Sequence, residues 1–130
     1  MTTKLNIGIV GLGWPGLQHL EAVRRFPDLM EVTAVCEADA SRIPELPPSV
    51  RKFDDYGRFL RESGVDAVVL AVPNKLHAPF TLSALEHGKH VLVEKPMALN
   101  EEEGRAMVEF AEKKGKILMV GQDRRFSQWA

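Results

Sequence analysis

The chain has 130 residues, enough for one domain with a hydrophobic core and short for a two-domain enzyme. A formal net charge of -1 gives no general attraction to nucleic acid or anionic membranes, and no apolar run reaches the roughly 18 to 20 residues of a membrane span. Its single cysteine, Cys36, excludes an internal disulfide framework. Because the N-terminus also lacks a signal-peptide pattern, we expect a soluble, cytoplasmic protein without nucleic-acid or membrane partners.

The first half of the chain alternates between short apolar strands and longer segments. A strand from Leu5 to Val10 leads into a helix that should stop before Pro27. The apolar positions of this helix recur at a spacing of three and are Leu17, Leu20, Val23 and Phe26. A second strand runs from Glu31 to Cys36, and the proline-rich segment from Glu37 to Ser49 predicts a loop.

The middle of the chain repeats this alternation. A short strand from Val50 to Phe53 precedes a helix that Asp54 or Asp55 can cap and that should end at Gly64. The run from Ala67 to Val72 is apolar throughout, which is typical of a strand covered on both faces.

The last third adds two helices and two strands. A helix from Ala78 to His87 precedes a strand from His90 to Val93. Asn100 with Glu103 resembles a capping box, and a final strand runs from Ile117 to Val120. The predicted buried stripe of the intervening helix is Ala106, Met107, Phe110 and Ala111. Strands joined by helix-length crossovers predict an α/β fold, a doubly wound parallel sheet of about six strands with helices on both faces, which is a Rossmann domain.

The first strand-to-helix connection carries the pattern G-x-G-x-x-G at Gly11, Gly13 and Gly16. In a Rossmann domain the first glycine permits a tight turn, the second lets a pyrophosphate approach the backbone, and the third lets the helix lie close to the strand. The helix N-terminus then offers unpaired N–H groups to the phosphates, and Pro15 is tolerated because first-turn N–H groups lack helical partners. Trp14 either covers the nucleotide or only lines the groove.

An acidic residue, Glu37, follows the second strand 21 positions after Gly16. A carboxylate at this position can accept the ribose hydroxyls of adenosine and would repel a 2′-phosphate, so it favours NAD over NADP. NADP stays possible if Glu37 swings out and Arg42 turns inward to accept that phosphate. Glycines that serve only a turn, and a solvated Glu37, are the alternatives to a nucleotide site.

Two further segments identify a family. The G-x-G-x-x-G pattern with His19 three residues later, the Pro73-Asn74 and His77 segment, and Glu94-Lys95-Pro96 together resemble the glucose-fructose oxidoreductase, inositol dehydrogenase and MocA (Gfo/Idh/MocA) family. The resemblance covers essentially the whole chain, including Leu118 to Phe126. It implies an NAD(P)-dependent oxidoreductase that moves a hydride between a nicotinamide and a sugar, cyclitol or related polyol.

The resemblance also implies roles for particular residues. The segment Ala71, Val72, Pro73 and Asn74 follows a central strand, where its backbone and the Asn74 amide are expected at the nicotinamide-side ribose, unless it is only a turn. His77 either shapes the same edge or is a cap or surface residue. In the family Glu94 lies near that ribose, and Lys95 points at the substrate as a catalytic residue that stabilises developing alkoxide charge.

The other histidines, His19, His87 and His90, are interpreted as structural, and no Cys/His spacing suggests a metal. Family members continue into a second, substrate-binding domain, so we expect residues 1–130 to be the dinucleotide-binding domain, inactive alone and prone to self-association through Phe126 and Trp129. A non-catalytic dinucleotide sensor or regulatory protein and a Rossmann methyltransferase are the alternatives.

Overall fold

A computed structural model describes residues 3–121 of the chain. Its strands are β1 (Leu5–Val10), β2 (Met30–Cys36), β3 (Arg51–Phe53), β4 (Ala67–Leu70), β5 (His90–Glu94) and β6 (Leu118–Gly121). Its α-helices are α1 (Trp14–Arg24), α2 (Tyr56–Glu62), α3 (His77–Glu86) and α4 (Glu101–Lys114). The predicted loop after β2 contains one short 3₁₀ turn, Ala40–Arg42. Phe126 and Trp129 lie outside the described residues.

The strands form one sheet in the order β3-β2-β1-β4-β5-β6, and every neighbouring pair is parallel. The chain builds outward from β1 to β3 and then crosses back to place β4 on the other side of β1. The order therefore reverses between β1 and β4, where open α/β sheets bind their ligands beyond the carboxyl ends of the strands. This arrangement confirms the predicted doubly wound Rossmann fold.

Alternate residues of the central strands feed two separate cores. Val68 and Leu70 of β4 belong to a cluster with α2, α3 and α4, whereas Val69 belongs to a cluster with α1. Because successive side chains of a strand point to opposite faces, the two clusters lie on opposite sides of the sheet. In the described part of the chain, none of the helices is long and apolar enough to cross a membrane.

Two predicted helix faces are partly wrong. α1 ends at Arg24, so Phe26 lies beyond it and is half exposed, and Leu17 is exposed as well. The buried residues of α1 are Gly16, Leu20 and Val23, because the glycine brings the helix start against the sheet. In α4, Ala106 is exposed and the buried positions are Met107 and Ala111.

The predicted caps lie where the sequence indicates. Asp55, rather than Asp54, caps α2 by accepting the Arg58 N–H at 3.0 Å. Asn100 caps α4 by accepting the Glu103 N–H at 2.9 Å, and the Glu103 carboxylate accepts the N–H of the residue before the cap, Leu99, at 2.9 Å. β4 ends at Leu70, two residues earlier than predicted, because the Val72 carbonyl faces a histidine side chain instead of continuing the ladder.

Candidate dinucleotide-binding site

The three glycines after β1 differ in what surrounds them. Gly11 has φ +90°, and a Cβ there would stand 2.2 Å from the Ala71 carbonyl oxygen. A Cβ on Gly16 would stand 1.8 Å from the carbonyl oxygen of Gly11, so α1 begins in direct contact with the turn. A Cβ on Gly13 would stand 3.7 Å from the nearest neighbouring atom, which belongs to the side chain of Arg42. Two glycines are thus required by the protein's own packing, and the third leaves open space above the backbone at the N-terminus of α1.

Glu37 holds its carboxylate against this turn. Its side chain is buried, with one oxygen accepting the Leu12 N–H at 2.7 Å and the other accepting the Asp39 N–H at 3.0 Å. Each carboxylate oxygen has a second lone pair, so both can still accept a ligand hydroxyl. Glu37 is therefore not a solvated surface acid but an anchored acceptor beside the glycine turn.

Arg42 brings a positive charge to the same turn. Its guanidinium lies 3.7 Å from where a Gly13 Cβ would be, and it is 3.8 Å from the Asp39 carboxylate. The Ser41 hydroxyl and backbone N–H both donate to Asp39 and hold the pKa of that carboxyl below its usual range. The arrangement places a cation near Gly13 at the N-terminus of α1, while the Glu37 carboxylate is buried beside the turn.

Beyond the turn, a cleft of about 740 Å³ opens at the carboxyl ends of β4, β5 and β6. Trp14 stands at this cleft and is 74% exposed, so its ring is available to a ligand. The predicted site residues that line the cleft are Trp14, Pro15, Ala71, Val72, Asn74, His77, Glu94 and Lys95. Gln18, His19, Ala22, Leu92, Met119, Val120 and Gly121 complete the lining. Pro73 precedes the 3₁₀ turn Asn74–Leu76 next to the cleft.

His77 connects the two loops that border this cleft. The side chain is 1% exposed, with Nδ1 2.6 Å from the Pro96 carbonyl oxygen and Nε2 2.9 Å from the Val72 carbonyl oxygen. Because a carbonyl only accepts, each contact is a hydrogen bond only when the ring nitrogen that faces it carries a hydrogen. A neutral imidazole carries hydrogen on one nitrogen and therefore donates to one of the two carbonyls at a time. His77 is thus not a surface residue: its backbone caps the end of the 3₁₀ turn Asn74–Leu76, and its buried side chain lies at the edge of the cleft.

His19, which we interpreted as structural, also lies in the cleft. Its Nε2 is paired with Oε1 of Glu94, a contact between α1 and the end of β5. Sequence reasoning missed the pairing, although one signal was present: His19 follows Gly16 by three residues and therefore shares the helix face that meets the sheet. The remaining histidines do have local structural contacts, because His87 faces the Ser83 carbonyl and His90 accepts the Ile117 N–H.

Cys36 lies at the end of β2 but carries no sign of reactivity. The thiol is buried, and this burial raises its pKa to about 12, with smaller contributions from nearby carboxylates. A thiol in such surroundings stays protonated and is a poor nucleophile. Within residues 3–121, no group of three or more His, Cys, Asp or Glu side chains is placed to hold a metal ion.

The arrangement fits a dinucleotide. Open backbone space over Gly13 suits a pyrophosphate, Glu37 suits the hydroxyls of one ribose on the β2 side, and the cleft on the β4 side has room for the second nucleoside. The fold and this site define a dinucleotide-binding Rossmann domain.

Comparison with known proteins gives the family. Residues 5–122 match the family model GFO_IDH_MocA, described as an oxidoreductase family with an NAD-binding Rossmann fold. The chain belongs to this Gfo/Idh/MocA oxidoreductase family and binds NAD through its Rossmann fold. The family membership that the sequence motifs indicated is confirmed.

The similar proteins include inositol dehydrogenases and a dehydrogenase that was solved with a sugar nucleotide. Inositol 2-dehydrogenase from Corynebacterium glutamicum (strain R) is 33% identical over 97% of this chain and 39% of its own length. Among solved structures, the WlbA dehydrogenase from Bordetella pertussis in complex with NADH and UDP-GlcNAcA has a TM-score of 0.90 and 29% identity, over 97% of this chain and 40% of that one. Scyllo-inositol dehydrogenase from Lactobacillus casei, with NAD(H) and scyllo-inositol bound, has a TM-score of 0.86 and 27% identity, over 97% of this chain and 38% of that one.

The chain therefore spans about two fifths of the length of these relatives. Membership in an NAD-binding oxidoreductase family does not favour a non-catalytic sensor, and it gives no support to a methyltransferase.

Proposed function

We propose that this domain serves an NAD-dependent dehydrogenase whose substrate is a cyclitol, a sugar or a related polyol. The observation that carries the proposal is the open space over Gly13, flanked by the anchored Glu37 on the β2 side and by the cleft containing Lys95 on the β4 side. The inositol and sugar-nucleotide dehydrogenases among its relatives support the substrate class.

In this proposal the site residues divide between the two ends of the cofactor. Gly11, Gly13, Gly16, Trp14 and Pro15 form the phosphate-binding turn. Glu37 accepts the adenosine ribose hydroxyls, and Arg42 lies beside the phosphates. The residues assigned to the nicotinamide side are Ala71, Val72, Pro73, Asn74, His77, Glu94 and Lys95. When bound, NAD supplies the hydride acceptor, and the protein supplies binding, orientation and electrostatics.

Lys95 is the residue we assign to the reacting substrate. It follows Glu94 at the carboxyl end of β5 and lines the cleft. An ammonium there can donate a hydrogen bond to the substrate oxygen and stabilise the negative charge that develops on it. His77 fixes the neighbouring Pro96 carbonyl, which limits how far the backbone after Lys95 can move.

Two experiments test the proposal. The 130-residue chain should bind NADH saturably. The titration is monitored by calorimetry and by quenching of tryptophan fluorescence. Reduction of NAD by inositols, glucose and xylose, followed at the absorbance band of reduced nicotinamide, tests the substrate class for this chain and for any longer product of the same reading frame. Absence of NADH binding would refute the cofactor assignment, and activity only on unrelated alcohols would refute the substrate class.

The location and assembly of the protein are also part of the proposal. A buried free thiol at Cys36 is compatible with the reducing cytoplasm, where we place the enzyme. In this proposal its partners are the dinucleotide and the polyol. Met119 of β6 and Ile117, just before β6, have exposed apolar side chains that are compatible with a homo-oligomer.

A further inference from the structure

Two carboxylates occupy equivalent positions in the two halves of the sheet. Glu37 directly follows β2, which pairs with β1, and Glu94 ends β5, which pairs with β4. β1 and β4 are the central strands at which the order reverses, so each half places one acid at the carboxyl end of its second strand. A dinucleotide contains two riboses, and a Rossmann sheet distributes them over its two halves.

The two acids are held in different ways. Both oxygens of Glu37 accept backbone N–H groups, from Leu12 and Asp39, so the fold itself fixes this carboxylate. Oε1 of Glu94 is paired with the Nε2 of a side chain, His19, which reaches it from α1. A histidine nitrogen facing a carboxylate acts as the donor, because the carboxylate oxygens only accept.

The surroundings of Glu94 make its position depend on this contact. Gly121 lies opposite it on β6, and a Cβ there would be only 3.3 to 3.4 Å from the carboxylate atoms, so the missing side chain provides room for the acid. The side chains of His19 and Glu94 are 24% and 22% exposed, which leaves the carboxylate accessible from the cleft. A glutamate has three side-chain torsions, and a fixed Oε1 removes much of that freedom.

We propose that His19 is a positioning residue for the nicotinamide half of the cofactor. By donating to Oε1 of Glu94, it orients the other carboxylate oxygen toward a hydroxyl of the ribose in the cleft. His19 thereby does for Glu94 what the Leu12 and Asp39 backbone does for Glu37. The inference rests on the proposed function, since it requires NAD(H) to lie across both halves of the sheet.

The test compares two ligands and three variants of the 130-residue chain by calorimetry. NADH reaches both halves of the sheet, whereas ADP lacks the second ribose. The bond that the test removes is the hydrogen bond from His19 to the charged Glu94. Losing a hydrogen bond of this kind lowers affinity about tenfold when the charged group binds the ligand. We therefore expect His19→Ala to weaken NADH binding about tenfold and to leave ADP binding unchanged. His19→Gln keeps an N–H donor at similar reach and should restore most of the affinity, and His87→Ala, far from the cleft, is the matched control.

A double-mutant cycle separates positioning from a purely structural role. In a Glu94→Ala background, His19→Ala should cause no further loss of NADH affinity, because the group it orients is gone. Equal losses of NADH and ADP in His19→Ala, additive losses in the cycle, or failure of His19→Gln to restore binding would each overturn the inference. A parent chain that binds ADP but not NADH would instead overturn the proposed function, and the two failures are therefore distinguishable.

Discussion

Replacing Gly13 by valine should abolish NADH binding without unfolding the protein. Gly13 has φ -71° and ψ -170°, an extended conformation that any residue adopts, and the atom nearest to an added Cβ is 3.7 Å away on the exposed side chain of Arg42. The free energy of unfolding should therefore change by no more than about 1 kcal/mol. The valine methyl groups occupy the space in which a pyrophosphate would approach the N-terminus of α1.

The loss of affinity can be estimated from the contacts that the valine would prevent. A hydrogen bond from a backbone N–H to a charged phosphate oxygen contributes about 1.5 to 3 kcal/mol, so losing a single one lowers affinity about 10- to 150-fold. Displacement of the pyrophosphate removes more than one such bond, and binding should fall below detection in calorimetry. Unfolding in urea, followed by circular dichroism, measures the stability of the same samples.

Two other glycines serve as controls for Gly13→Val. Gly16→Ala places a Cβ 1.8 Å from the Gly11 carbonyl oxygen and should destabilise the fold itself. Gly104→Val, in α4 and outside the cleft, places a Cβ 3.8 Å from the side chain of Ala98 and should leave NADH affinity unchanged. If Gly13→Val binds NADH as tightly as the parent, phosphates do not pass over Gly13, and the assignment of the turn is wrong.

Cofactor preference, the cap of α2 and the buried thiol can each be tested separately. The parent should bind NADH more tightly than NADPH, and Glu37→Ser should narrow this preference; a parent that prefers NADPH would make Arg42 the reader of the 2′-phosphate. Asp55→Ala removes the α2 cap and should lower the free energy of unfolding by about 1 kcal/mol in urea titrations, and unchanged stability would contradict the cap. Because burial raises the pKa of Cys36 to about 12, iodoacetamide at a pH of about 8.5 should label the thiol only in urea, and rapid labelling of the native chain would show that the thiol is accessible.

The order of helices and strands could be predicted because most segments carry a clear local signal. Apolar runs bounded by turn residues mark the strands, and Asn100 with Glu103 marks the start of α4. The errors occur where packing decides. Phe26 and Leu17 fit a helical spacing, but α1 meets the sheet through Gly16, so Leu17 stays exposed, and Phe26 lies beyond the end of the helix.

The candidate site could be predicted from the sequence where its residues lie close together along the chain or at the end of a predicted strand. The glycine turn is local, and the position of Glu37 follows from the end of β2. The contact between His19 and Glu94 joins residues 75 positions apart, and it depends on the sheet order, in which β4 and then β5 follow β1 and bring the end of β5 within reach of a side chain of α1. Likewise, the two carbonyl partners of His77 belong to different loops, and no sequence pattern specifies which backbone groups a buried histidine will meet.

The position of His77 between two loops affects how a ligand binds. The buried ring of His77 lies between the loop after β4 and the loop after β5, with one ring nitrogen facing a carbonyl of each loop, and at the other end of the site the backbone holds Glu37. The binding site is therefore preorganised. Its loops become ordered when the protein folds, so ligand binding causes little further loss of conformational entropy. Free and occupied forms should have nearly the same backbone, and the largely exposed Trp14 is one of the side chains that can change rotamer on binding.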